Sequence, residues 1–294
     1  MVILKEEILV RLLDYPSAVE ALEEAWREPS QVPARAQVDL GAGRMWLMPA
    51  TAGGAAGVKV VTQFDGNAAL GLDRVQGSYL YLDGETGLPM ALLDGRVLTA
   101  IRTAAVSALA TRLMANLRPQ TLAIFGTGVQ ARSHLEAMRA CFDVGDVMVC
   151  GSTPEKSREF AVRHDCRAAS AQECCQATLI CACTTSRTPL WDGNWLAEGA
   201  HINAVGNSRP DACELDAVTV QRARIAADTR QGVLEEAGDL LLHGAGDRIV
   251  ADLKDMLVEG KKVRSAPSEI TLFKSVGYAL GDLALARLAY RRSE

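Results

Sequence analysis

The sequence carries no excess of positive charge. Its 31 Lys and Arg stand against 36 Asp and Glu, for a formal net charge of −5. That balance argues against nucleic acid as a partner and favours solubility. A secretory leader is not expected, because Lys5, Glu6, Glu7 and Arg11 interrupt the first apolar stretch. No apolar run is expected to be long enough to cross a bilayer, so no membrane partner is expected either. The eight cysteines include no CxxC pair. Cys174, Cys175, Cys181 and Cys183 cluster, but the last two lie in the strand-like run ATLICACTT. Small buried apolar residues explain them better than a metal site does. The four histidines are scattered without ligand spacing, so a zinc hydrolase has no support and no metal is expected. Free thiols suit a reducing compartment, and the expected location is cytoplasmic.

What is present suits a globular protein of two domains, since 294 residues exceed one comfortable core. Lys5 to Arg27 reads as two helices broken near Tyr15 and Pro16, with Leu9, Leu12 and Leu13, then Val19, Leu22 and Trp26, on one face each. Short strands follow from Ala34 to Asp94: RAQVDL, RMWLMPA, GVKVVTQF, SYLYLD and PMALLD, the last two forming a hairpin. A long Ala- and Leu-rich helix is predicted from Val97 to Leu117, closed by Arg118 and Pro119. From Gln120 strands and helices alternate, which marks a parallel sheet covered by helices. The predicted strands are LAIF, DVMVC, TLICAC, HINAV and RIAAD. The final segment, from ITLFK onward, is expected to be a short extended stretch and one amphipathic helix. No strand is left for it to pair with in the parallel sheet, so it is expected to return to the first domain.

The stretch TLAIFGTGVQAR organises the second half. An apolar run, then Gly126, Thr127, Gly128, Val129, Gln130 and Ala131, then a helical pattern, is the context in which GxGxxA means a dinucleotide site. Gly126 permits the tight turn, Gly128 lets a pyrophosphate approach the backbone, and Ala131 lets helix and strand pack closely. The helix N-terminus adds free N–H groups and partial positive charge. The alternative is a plain turn with no ligand.

Three cations stand isolated among apolar or small residues: Arg35 on the first strand, Lys59 in GVKVVT and Arg102 in TAIRTAAVSALA. A buried charge must be paired or ligand-bound, and an arginine fork suits a carboxylate. Each could instead pair with an internal acid, and Arg35 could lie at the surface. The loop AVGNSRPDACELD follows the fourth predicted parallel strand, where ligand crevices form. Ser208, Arg209 and Asp211 are candidates there, although Asp211 or Asp216 could simply cap the next helix. No acid ends the second parallel strand. Ser152, Thr153, Lys156 and Arg158 could take a 2′-phosphate, so NADP(H) is favoured over NAD(H); alternatively Glu155 reaches the ribose.

On WLMPA, GVKVVT, LTAIRTAAVSALAT, IFGTGVQARSHLEAM, AVGNSRPDACELD and TLFKSVGYALGDLA, the chain resembles the ornithine cyclodeaminase/mu-crystallin family over nearly its whole length. The resemblance implies a substrate-binding and dimerisation domain (1–116 and 271–294) with an inserted Rossmann domain (117–270), and a homodimer. The fold class is therefore α/β, a Rossmann-type doubly wound parallel sheet inserted in an α+β domain. It implies substrate contacts at Arg35, Met48, Lys59, Arg102 and Arg209. It implies cofactor contacts at Gly126, Thr127, Gly128, Val129, Gln130, Ser152, Thr153, Arg158, Thr184, Val205, Gly206 and Lys274. Cyclodeaminases of the family carry Asp where this chain has Ser208, which points to the ketimine reductase branch.

The expected reaction is therefore hydride transfer to the C=N carbon of a cyclic α-imino acid, with Lys59 and Ser208 as catalytic groups. The substrate expectation, Δ1-pyrroline-2-carboxylate or Δ1-piperideine-2-carboxylate, rests on the resemblance. The alternatives are a linear alanine- or arginine-type amino acid dehydrogenase, ornithine cyclodeaminase, and a non-catalytic NADP-binding protein.

Overall fold

A computed structural model describes residues 1–116 and 121–294. Leu117, Arg118 and Pro119, the expected close of the long helix, lie outside the described residues.

The chain opens with strand β1 (Val2–Leu4), helices α1 (Glu6–Leu12) and α2 (Tyr15–Arg27), and the two-residue β2 (Ser30–Gln31). Asp14 caps α2 by accepting the Ser17 N–H at 2.9 Å, and Pro16 sits in its first turn, where a missing N–H costs nothing. Then come β3 (Ala36–Asp39), β4 (Arg44–Ala52), β5 (Ala55–Gln63), β6 (Val75–Asp83), β7 (Pro89–Asp94) and α3 (Gly95–Met114). The second half runs β8 (Thr121–Phe125), α4 (Val129–Cys141), β9 (Asp146–Cys150), α5 (Pro154–Arg163), β10 (Arg167–Ala168), α6 (Ala171–Cys174), β11 (Leu179–Ala182) and β12 (His201–Ala204). It continues through α7 (Ala217–Arg222), β13 (Ala223–Ala227), α8 (Arg230–Glu236), α9 (Gly238–Leu241), β14 (Ile249–Asp252), α10 (Leu253–Val258), β15 (Ile270–Lys274) and α11 (Ala279–Ser293).

Two compact units result: Met1–Arg102 with Tyr278–Glu294, and Thr103–Gly277. The expected limits at 116/117 and 270/271 shift because α3 changes unit partway along and because β15 belongs to the second unit.

In the first unit a sheet runs β1-β7-β6-β5-β4-β2, with β3 also on β4. All its pairings are antiparallel except β1 on β7. Side chains alternate across a strand, so Met48, Lys59, Tyr79 and Leu93, aligned across four strands, share one face. That face packs against α11, and all four residues are buried.

In the second unit eight parallel strands run β10-β9-β8-β11-β12-β15-β13-β14. Every residue of β11, β12 and β15 is buried, as strands covered on both faces must be. The strand order reverses between β8 and β11, the position at which doubly wound sheets bind ligands.

The expectation that ITLFK has no partner is corrected: β15 lies between β12 and β13. Its run of β-branched and aromatic residues supplies a doubly buried strand, and the preceding α10 and loop give the chain length a parallel connection needs. Asp228 Oδ2 then accepts the Val276 and Gly277 N–H groups at 3.0 and 2.7 Å, fixing the chain after β15. A second correction concerns α3. At 20 residues it is long and apolar enough to span a bilayer, but 78% of that window is buried inside the protein, as in a core helix.

Candidate functional site

The first unit holds a buried ion cluster. Lys59 on β5 is 1% exposed, and its Nζ donates to both carboxylate oxygens of Asp282 on α11, at 2.9 and 2.8 Å. Arg102 on α3, 6% exposed, donates through Nε to Asp282 Oδ1 at 3.1 Å. One carboxylate thus bridges two cations. Burial and the neighbouring positive charge of Arg102 and Arg35 bring the Lys59 ammonium down to about 8, against the opposing pull of Asp282. Arg35 is half-buried and lies just before β3 rather than on it, yet its charge reaches Lys59. Met48 is the cross-strand partner of Lys59 on one side and Tyr79 on the other. The Tyr79 hydroxyl lies over Gly57, where a Cβ would collide with it, and has no hydrogen-bond partner among the described residues. Burial, with Asp282 nearby, drives its pKa well above the ordinary phenol value.

In the second unit the turn after β8 has the shape a dinucleotide requires. Gly126 has φ +112°, and a Cβ there would come within 2.7 Å of the Cys183 carbonyl oxygen. A Cβ at Gly128 would meet nothing within 4 Å, so the backbone there is open to approach. Gly128 caps α4 without a side-chain hydrogen bond, and Val129 stands 62% exposed beside it. First-turn N–H groups without side-chain acceptors, at the reversal of strand order, fit a pyrophosphate.

At the end of β9, Thr153 caps α5 by accepting the Lys156 N–H at 3.3 Å, and Lys156 Nζ lies 3.4 Å from Ser152 Oγ. Arg158 holds Glu155 at 2.7 Å, so the acid that could have reached a ribose is engaged by a cation. Thr184 lies two residues beyond β11, and Val205 and Gly206 follow β12 directly. Lys274, at the end of β15, is wholly buried and pairs with Asp239 at 2.6 Å and the Asn207 carbonyl at 2.7 Å. Ser208 is exposed. Arg209 holds Asp211 through two hydrogen bonds of 3.0 Å, and Arg187 shares that acid. The cap of α7 is Asp216, not Asp211. Among the described residues no three His, Cys, Asp or Glu side chains gather to hold a metal.

The family profile of ornithine cyclodeaminase and mu-crystallin matches residues 1–294. The chain belongs to the ornithine cyclodeaminase/mu-crystallin family. It is 39% identical to ketimine reductase mu-crystallin of Mus musculus, over 84% of this chain and 80% of that protein. Its fold matches Δ1-pyrroline-2-carboxylate reductase of Thermococcus litoralis, solved with NADH and L-proline. That match has a TM-score of 0.92 and 33% identity, and covers 100% of this chain and 97% of the other. An archaeal alanine dehydrogenase dimer with bound NAD matches at TM-score 0.93 and 29% identity, over 100% and 96%.

The sequence singled out the cations but not their acid. Asp282 had one available signal, a lone carboxylate on the buried stripe of an Ala- and Leu-rich helix. Glu214, also missed, is fully buried and accepts from both the Thr184 N–H and its hydroxyl, at 2.9 and 2.6 Å.

Proposed function

We propose that this family member is an oxidoreductase that reduces the C=N bond of a cyclic α-imino acid. The substrate is Δ1-pyrroline-2-carboxylate or Δ1-piperideine-2-carboxylate, and the product L-proline or L-pipecolate. The observation that carries this reading is the bridge of two buried cations on one carboxylate, Lys59 and Arg102 on Asp282. Three charged groups with a net positive excess are costly in an apolar interior unless a further anion joins them. The substrate carboxylate is that anion, and the Arg102 guanidinium suits it through a two-pronged contact. Arg35 adds charge, and Met48 packs against the ring.

When bound, the reduced nicotinamide supplies the hydride that the imine carbon accepts. The chain's own residues orient and protonate. The Gly126–Gly128 turn and the first turn of α4 hold the pyrophosphate. Ser152, Thr153 and Arg158, with Lys156, take a 2′-phosphate, which favours NADPH over NADH. Lys59, with its pKa near 8, holds a proton at neutral pH and can release it to the imine nitrogen; Asp282 fixes its Nζ. Ser208, exposed after β12, is the second proposed catalytic group. Fixing the carboxylate sets the imine carbon in place, which is most of what addition to a protonated imine requires.

The test follows nicotinamide absorbance with each imino acid and each cofactor. Oxidation of NADPH without added ammonium supports the reading. A strict ammonium requirement with pyruvate would make the protein a linear amino acid dehydrogenase, the reading that likeness to alanine dehydrogenase supports. Ammonia released from ornithine without net cofactor consumption would make it a cyclodeaminase. We further propose a homodimer in the cytoplasm, the latter from eight free cysteines.

A further inference from the structure

Beneath the loops that leave β11 and β12, a second buried cluster has no part in the reaction scheme. Glu214 Oε1 accepts from the Thr184 N–H at 2.9 Å and the Thr184 hydroxyl at 2.6 Å. The Thr184 hydroxyl oxygen in turn accepts the Ser186 N–H at 3.0 Å. Gly206 lies so close that a Cβ would collide with the Thr184 carbonyl oxygen and with Glu214 Oε1. Glu214 is itself held from behind, since Asp239 Oδ1 accepts the Glu214 and Leu215 N–H groups at 2.6 and 3.0 Å. The other Asp239 oxygen pairs with Lys274 at 2.6 Å. Lys274 also donates to the Asn207 carbonyl, and the Asn207 side chain donates to the Ser186 carbonyl at 2.8 Å. The carboxyl ends of three neighbouring strands, β11, β12 and β15, are thereby tied through two acids, Glu214 and Asp239.

The charges of this cluster identify the form Glu214 takes. Lys274 pairs with Asp239, and Glu214 Oε2 is fully buried with no hydrogen-bond partner among the described residues. A second full carboxylate there would have to share Lys274 with Asp239. Burial pushes the Glu214 carboxyl above the ordinary range, against the opposing pull of Lys274 and of the Thr184 hydrogen bonds.

We propose that Glu214 is a positioning residue for dinucleotide binding, a neutral carboxyl group that clamps Thr184 against the Gly206 backbone at the carboxyl ends of β11 and β12. The inference rests on the dinucleotide reading of the second unit. It adds the acid that sets the shape of the two loops beside the glycine turn. A neutral clamp needs an acceptor oxygen at that position, not a charge.

The test is direct binding of NADPH to the full chain, read by nicotinamide fluorescence, with steady-state kinetics alongside. Glu214→Ala is expected to weaken NADPH at least about ten-fold, the loss of one to two hydrogen bonds. The KM for the imino acid at saturating NADPH is expected to stay within about two-fold. Glu214→Gln keeps the acceptor oxygen, and its NADPH affinity is expected within about three-fold of the parent protein. If Glu214→Ala does not fold, Thr184→Val removes the hydroxyl that donates to Glu214 and accepts the Ser186 N–H, keeps the Thr184 N–H bond to Glu214, and is expected to weaken NADPH about three- to ten-fold. Unchanged NADPH affinity in Glu214→Ala, or in Thr184→Val, overturns the proposal. A Glu214→Gln protein as weak as Glu214→Ala also overturns it, because charge would then be the requirement. If the parent protein binds NADPH but reduces no imino acid, the reaction reading fails while the clamp is still judged by these variants.

Discussion

Replacing Asp282 with Asn tests how the proton on Lys59 is controlled. The substitution keeps the shape and one acceptor oxygen but removes the carboxylate that hydrogen-bonds Lys59 and pairs with Arg102. Both influences that raise the Lys59 pKa come from Asp282; burial, Arg102 and Arg35 all lower it. Without the carboxylate the Lys59 pKa must fall below about 8. A fall of roughly one unit or more is expected, each unit being about 1.4 kcal/mol. Lys59 loses its proton as pH rises through its pKa, so kcat/KM of the parent protein should decline above about pH 8. In Asp282→Asn that decline should begin at least about one unit lower, costing about five-fold at pH 8 and about ten-fold well above it. Removing one partner of a buried ion pair costs about 3–5 kcal/mol. The acceptor retained by Asn and the neutralisation of Lys59 place the loss near the lower end, or about 6–12 °C in Tm. The assays are a pH–rate profile and thermal unfolding. A profile that still breaks near pH 8 in Asp282→Asn would refute the reasoning, even if Tm fell.

Other substitutions probe separate parts. Lys59→Met should lower kcat about 10²- to 10⁴-fold if Lys59 donates the proton, with little change in NADPH affinity; unchanged kcat removes that role. Gly126→Ala places a Cβ within 2.7 Å of the Cys183 carbonyl at a positive φ, so NADPH binding in a titration should weaken by more than about ten-fold. Ser152→Asp puts an acid at the end of β9 and should favour NADH over NADPH by about ten-fold or more in paired Kd measurements. Cys150 ends β9, half-buried, and its hydrogen bond with Cys174 lowers its thiol pKa against the opposing effect of burial. Mass spectrometry should find it alkylated by iodoacetamide faster than buried Cys181, and protected by NADPH.

Local signals were legible in the sequence and long-range partners were not. The glycine turn was readable because strand, turn and helix are contiguous, so each glycine's place is fixed within a few residues. Lys59 and Arg102 were readable as anomalies, single charges in apolar runs whose burial must be compensated. Their compensating acid was not, because Asp282 lies 223 and 180 residues away and resembles the surface acids common on amphipathic helices. Strand β15 was missed for a related reason. Its pairing with β12 and β13 depends on which slot in the sheet stays empty until the chain returns, and that is a property of the assembled sheet. Arg209 reads as a ligand group in its loop, but its own neighbour Asp211 engages it. Glu214 gave no periodic signal, since its role comes from loops that meet only at the strand ends.

In the proposed reaction Lys59 and Arg102 hold a carboxylate and so set the reacting carbon in place. The most direct measurement compares initial rates of NADPH oxidation on Δ1-pyrroline-2-carboxylate and on Δ1-pyrroline, the same ring without the carboxylate. Turnover of the first is expected, with a loss of at least about 10²-fold in kcat/KM on the second, and Arg102→Met should remove most of that difference. Equal rates on the two rings, or a difference that survives in Arg102→Met, would contradict it.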